Sequence, residues 1–268
     1  MKTFGKLRRQ EIAGRPLRKY FLYALGEIAL IVVGILIALR IDTWNQQQKD
    51  AVTEQKILAQ LETEYERNLA QLDEKIAMRA ESVQAGKTLL RYIDAPDGVP
   101  ADSVIFQMTF VIRDPTFDPI SNDLIASGNL LLIRNERLKN RLANWTSEVR
   151  QLQEAELEWQ KIRTQVIIPF LIRNGLDRSV QDALWKNQRV PVYVLDRNID
   201  IPQDLGPSRR LPDAEALLAM AEIEGIASET ITWAHLGNLQ SLGLRNRIEE
   251  ILQLIRAERD PGTPGAPE

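Results

Sequence analysis

Residues 20–39, YFLYALGEIALIVVGILIAL, hold a single charge, Glu27. At a rise of about 1.5 Å per residue, a helix of this length spans roughly 30 Å, the thickness of a bilayer's hydrocarbon core. Before it lie Lys2, Lys6, Arg8, Arg9, Arg15, Arg18 and Lys19 against one acid, Glu11. A chain with this run is expected to cross a membrane once, near its N-terminus. A cleaved signal peptide would carry an apolar core of about 7–15 residues and then a small-x-small site. Here the run is longer, and Leu36-Ile37-Ala38 is a poor site because Leu36 is large. The core helix of a soluble protein would show a polar face, and this run has almost none.

The flanks agree with a span. Tyr20 and Tyr23 stand at its basic end and Trp44 at the other, where amphipathic rings favour the headgroup level. The positive-inside rule puts residues 1–19 in the cytoplasm as a basic tail. Residues 43–258 are then expected on the far side as a helical domain, followed by a disordered tail over 259–268. Cysteine is absent, so an exported domain must hold together by packing or oligomerisation. A net charge of −3 leaves no nucleic-acid footprint.

The exported part reads as all-α. From Trp44 no Gly occurs before Gly86 and no Pro before Pro96. Apolar residues at Leu58, Leu61, Tyr65, Leu69, Leu72, Ile76, Ala80 and Val83 give an eleven-residue period, which predicts one stripe on a nearly straight helix. That helix is expected to continue directly from the membrane span. The turn cluster 94–100 ends it. A short helix is expected over 103–112, and another from a Ser121 cap to Gly128. Asn135 is placed to cap a long helix whose seam is Leu138, Leu142, Trp145, Val149 and Leu152, with Pro169 kinking or ending it. Residues 175–212 read as irregular, with a strand-like alternation at Val190, Val192 and Val194. Pro212 is expected to start a helix closed by Gly225, and Ser228 to cap the last long helix, which carries Leu244, Ile248, Ile251 and Ile255. An antiparallel helical bundle is the architecture these lengths predict.

Two stretches resemble the DUF6090 family of membrane-anchored proteins, abundant in Bacteroidota and related Gram-negative bacteria. The first is Gly26-Glu27-Ile28, Gly34-Ile35-Leu36-Ile37-Ala38-Leu39, Ile41 and Trp44-Asn45. The second is Phe117-Asp118-Pro119, Leu124-Ile125-Ala126-Ser127-Gly128-Asn129-Leu130, Leu132-Ile133-Arg134-Asn135 and Leu138. Arg40 stands where the family pattern suggests an uncharged polar residue. The resemblance implies an inner-membrane protein with a periplasmic helical domain. It implies no activity.

Within the span, Ala24, Glu27, Ile31, Gly34 and Ala38 share one helical face. Gly34-x-x-x-Ala38 lets a second helix approach closely, and Glu27 would then find a hydrogen-bond partner across the contact. The plainer alternative is that Glu27 snorkels to the cytoplasmic headgroups. His235 is the only histidine and, with no cysteine, makes a poor metal site. Ser121, Ser127 and Ser228 read as cap or turn residues; there is no Gly-x-Ser-x-Gly elbow and no phosphate loop. Glu62, Glu64 and Glu66 read as a solvated face. Trp145, Trp159 and Trp233 read as bundle core in preference to a ligand pocket.

The sequence therefore points to a non-enzymatic single-pass protein without cofactor or metal. Its partners would be the bilayer and other membrane proteins, or itself, with no nucleic acid. It would act as a scaffold or accessory subunit of a larger complex. The alternative is a periplasmic ligand-binding or sensing domain, weakened because only residues 1–19 are expected inside.

Overall fold

The computed structural model describes residues 15–120, 129–186, 204–206 and 208–259, with side chains from residue 20 on. Among these residues every regular element is helical: α1 (Arg15–Asp94), α2 (Ala101–Val111), α3 (Glu136–Ile162), α4 (Ile168–Arg173), α5 (Asp177–Lys186), α6 (Ala214–Leu218) and α7 (Ala221–Arg259). The expected helix over 121–128, the Val190–Val194 alternation and the tail beyond Arg259 lie outside the described residues. Arg259 itself ends α7 and pairs with Glu62, so the helical domain reaches one residue past the expected boundary at 258.

The chain divides into two compact units, Met1–Lys56 and Ile57–Glu268. In the first, residues 20–39 are helical and exposed all round. This stretch is long and apolar enough to cross a membrane.

The second unit is built on three long helices. Along α1, beside buried Met78 and Ala85, runs a row of inward positions at Leu58, Leu61, Tyr65, Asn68, Leu72, Arg79, Ser82, Gly86 and Leu89. With half-buried Lys75 they step three, four, three, four throughout. This seven-residue repeat replaces the expected eleven-residue one. Ala80, assigned to the stripe by the apolar pattern, is exposed. The cause is that Asn68, Arg79 and Ser82 occupy seam positions, and a pattern that counts only apolar residues slides past them. In α3 the expected seam is buried in full and continues to Glu156. In α7 the repeat runs Ile223, Ala227, Thr230, Ala234, Gly237, Ser241, Leu244, Ile248, Ile251 and Ile255.

Side-chain pairs fix the directions. The Tyr65 and Trp145 rings meet at a tilt of 59° with centroids 5.0 Å apart, and Arg79 meets Glu156, so α1 and α3 run parallel. Arg256 bonds Glu62 and Arg245 bonds Asp73, so α7 runs antiparallel to α1. Asn135 bonds Glu258 and Arg137 bonds Glu250, so α7 is antiparallel to α3 as well. Two apolar clusters result. One joins Leu58, Leu61, Tyr65 and Leu72 to the α3 seam and to Leu244, Ile248, Ile251 and Ile255 of α7. The other gathers Leu89, α2, Ile167, Phe170, Leu171, Val180 and the start of α7.

Local chemistry explains where helices begin and end. Asn135 caps α3 by accepting from the Leu138 amide at 3.0 Å, as the sequence suggested. Pro169 does not end that rod. A π turn, Arg163–Ile167, precedes it and lets the proline fall in the first turn of α4. Residues 177–186, expected to be irregular, form α5, whose Val180 is fully buried. Asp213, not Pro212, caps α6. Gly225 does not close a helix and Ser228 does not open one; both lie inside α7. Burial of Ile223, Ile226 and Ala227 on that turn outweighs the roughly 1 kcal/mol that a helical glycine costs. Gly86 has a specific reason: a Cβ there would lie 2.8 Å from Ile231 Cγ1 and 3.0 Å from the Ala227 carbonyl oxygen, so only glycine lets α1 and α7 come this close.

Candidate functional site

After α2 the chain must return along α1 before α3 can start, and residues 112–120 make that return without helix or ladder. Buried backbone without secondary structure needs other partners, and the polar seam residues supply them. Arg163 Nε donates to the Ile112 carbonyl at 2.6 Å and Trp159 Nε1 to the Arg113 carbonyl at 2.8 Å. Arg79 donates to the Pro115 carbonyl at 2.8 Å. The Phe117 amide donates to both Glu156 oxygens, at 3.1 and 3.0 Å. Asn68 closes a two-way pair with Ile120, donating at 2.9 Å and accepting at 2.8 Å. The strap in turn sends the Phe117 ring into the first apolar cluster.

Arg79 and Glu156 form the centre of this junction. Their side chains retain 5% and 7% of their exposure and are in direct ion contact. Arg79 Nη1 also donates to Ser241 Oγ at 2.8 Å. Gly237 makes room: a Cβ there would sit 3.1 Å from Arg79 Cδ and Nε. Burial pushes the Glu156 carboxyl up to about 7, against the pull of Arg79 and the Phe117 amide. Burial also lowers Arg79, with Glu156 and Asp114 opposing. Beside the pair, Ser82, Arg113, Trp159, Thr230 and Trp233 line a cavity of ≈ 20 Å³. That volume holds one water molecule and no larger ligand. Of the three tryptophans expected in the core, Trp145 is buried there, while Trp159 and Trp233 border this cavity.

The other expectations fall as follows. Ala24, Glu27, Ile31, Gly34 and Ala38 all lie on α1 and are exposed, as are Tyr20, Tyr23 and Trp44. A Cβ on Gly34 would meet nothing within 4 Å. Glu62 is not simply solvated, because Arg256 and Arg259 hold it and keep its carboxyl below the usual range. Glu66 shares Arg256. His235 stands exposed on α7. Among the described residues no group of His, Cys, Asp and Glu is arranged to hold a metal ion. Sequence reading missed Arg79, Glu156 and Asn68. Their signal was present as polar residues at otherwise apolar heptad positions.

These features define an all-α protein with one apolar stretch of membrane-spanning length and a three-helix unit strapped by buried polar side chains. A model of a family of unknown function, DUF6090, matches residues 27–93, a quarter of the chain. This is the family that the sequence resembled, and the match covers the first stretch from Glu27 on and most of α1; the second stretch lies beyond it. Neither the curated proteins nor the solved structures give a match.

Proposed function

We propose that this protein is a single-pass inner-membrane protein whose strapped helical unit, on the periplasmic side, binds another protein as scaffold or accessory subunit. The reading rests chiefly on residues 20–39. They expose apolar side chains on every face, with Leu30 at 76% and Phe21 at 70%, a surface that lipid or a partner helix must cover. The basic tail before the run sets the orientation. Ala24, Glu27, Ile31, Gly34 and Ala38 form the face offered to a second helix.

Two measurements test it. Protease added to spheroplasts is expected to digest an epitope near residue 200 and spare one at residue 2; protection of the former overturns the orientation. Co-purification from mild detergent then reads the membrane face. Gly34→Leu is expected to lower the yield of the partner several-fold, and Glu27→Leu more than Glu27→Gln, because an amide still hydrogen-bonds. Interhelical hydrogen bonds in membranes contribute only about 0.6–2 kcal/mol, so loss is partial. If Gly34→Leu behaves like the parent, that face contacts lipid.

A further inference from the structure

The second unit carries a larger concavity, different in character from the water-sized one beside the strap. It is an open cavity of ≈ 770 Å³ lined by Ile172, Gly175, Asp177, Arg178, Ser208, Arg209 and Arg210. Three exposed arginines thus border one space against a single carboxylate, Asp177. The backbone is shaped around two of these arginines. Gly175 has φ 70°, and a Cβ added there would lie 3.6 Å from Arg210 Cβ and 3.8 Å from Arg210 Cδ. The Arg210 stem therefore rests on the glycine. Gly206 has φ 67°, and a Cβ there would come 3.3 Å from Arg178 Nη2. Arg178 is anchored through Nε to the carbonyls of Leu205 at 2.9 Å and Gly206 at 3.1 Å and through Nη2 to the Leu205 carbonyl at 2.5 Å, so its Nε–Nη2 edge is held by backbone and it offers the cavity its charge. Arg209 and Arg210 form no ion pair with any described residue. Asp177 and Arg178, the first residues of α5, border the same cavity.

We propose that this cavity binds a phosphate group, as the free ion or as a phosphomonoester. The planar forks of Arg209 and Arg210 match phosphate oxygens two at a time, and a doubly charged oxyanion is the ligand that they, with the charge of Arg178, favour over a carboxylate. The cavity is of the size that holds small ligands, unlike the one at Arg79. This site lies within the helical unit and does not depend on the membrane reading.

The test uses the full chain in detergent, titrated calorimetrically with sodium phosphate against sodium chloride at matched ionic strength and pH. Saturable heat with phosphate alone is expected. The double change Arg209→Ser with Arg210→Ser, which leaves the Arg178 anchor in place, is expected to weaken binding at least tenfold. Asp177→Asn removes the opposing charge and is expected to tighten it several-fold, a gain that misfolding cannot mimic. Glycerol phosphate binding as well as inorganic phosphate assigns the site to phosphomonoesters; inorganic phosphate alone assigns it to the free ion. Equal responses to phosphate and chloride, or an unchanged affinity in both variants, overturn the proposal.

Discussion

Two levels of the same three-helix seam are filled by opposite chemistry. At Tyr65 and Trp145 the helices meet through rings and aliphatic side chains within one apolar cluster. Roughly four turns further along α1, the seam is filled by Arg79, Glu156 and Ser241. The apolar layer fills volume. The polar layer satisfies the Pro115 carbonyl and the Phe117 amide of the strap, while Asn68, Trp159 and Arg163 serve its other groups. Loss in the first leaves a void, whereas loss in the second leaves a buried charge or amide without its partner, so the two should respond differently to the same truncation.

The largest effect is expected from removing one member of the ion pair. Glu156→Leu leaves Arg79 charged and buried and the Phe117 amide without its acceptor. A cost of about 3–5 kcal/mol follows from breaking a buried pair. Adding Arg79→Met removes the stranded charge, and the double variant is expected to recover part of the loss. In the apolar layer Ile248→Ala is expected to cost about 2–5 kcal/mol, with no second change able to restore it so simply. Denaturant unfolding of the detergent-solubilised chain at about pH 8, above the folded value of the Glu156 carboxyl, measures all three. A double variant that is no better than Glu156→Leu would mean that the strap amide, not the charge, dominates.

The same carboxyl sharpens the comparison through pH. Its folded value, about 7, lies above its ordinary 4.5. Between those values the folded chain keeps a proton that the unfolded chain has released, so stability falls as pH rises through that window and levels off above it. The groups facing it are Arg79 and Lys75 of α1, and Asp114 with the Phe117 amide of the strap. Glu156→Gln is expected to flatten this component of the profile, while Ile248→Ala leaves its shape unchanged. Melting temperatures from pH 5 to 8 for the parent and these two variants decide it. A parent component that instead rises with pH in that range would place the ionised pair as the stable form.

The α3 seam and the Asn135 cap were legible because apolar spacing and a short polar side chain each act locally. The strap was not. Asn68, Arg79 and Glu156 break the apolar pattern that reveals a helix face, and their reason lies at Ile120, Pro115 and Phe117, 52, 36 and 39 residues away in sequence. Pattern reading followed the apolar residues onto exposed Ala80 and lost the true repeat. Glycines misled it in a related way. Gly225 read as a stop, yet the burial around it decides, and that depends on residues from α2 and α4. The membrane-length run was plain from composition alone, because every face of it is apolar. The arginine cavity combines α5 with residues 208–210, a meeting that no local pattern encodes.

The smallest effects come from two glycines of α7 that look alike in the sequence. Gly237 lies on the seam, and Gly243 faces outward. In a helix interior, Gly→Ala gains about 1 kcal/mol from backbone entropy and propensity when the new methyl meets nothing. Gly243 satisfies that condition, with nothing within 4 Å of a Cβ. Gly243→Ala is therefore expected to raise stability by up to about 1 kcal/mol. At Gly237 the methyl would press on Arg79 Cδ and Nε at 3.1 Å. Arg79 has little freedom to yield, because Ser241, Pro115 and Glu156 hold its guanidinium. Overpacking of about 1–3 kcal/mol then exceeds the propensity gain, and Gly237→Ala is expected to destabilise by about 1 kcal/mol. The sign difference between the two substitutions is the measurement. Combining Gly237→Ala with Arg79→Met and Glu156→Leu is expected to turn its effect neutral or favourable, since a flexible methionine can move aside. If Gly237→Ala stabilises in the parent chain, Arg79 is free to shift, and the polar layer is looser than its hydrogen bonds imply.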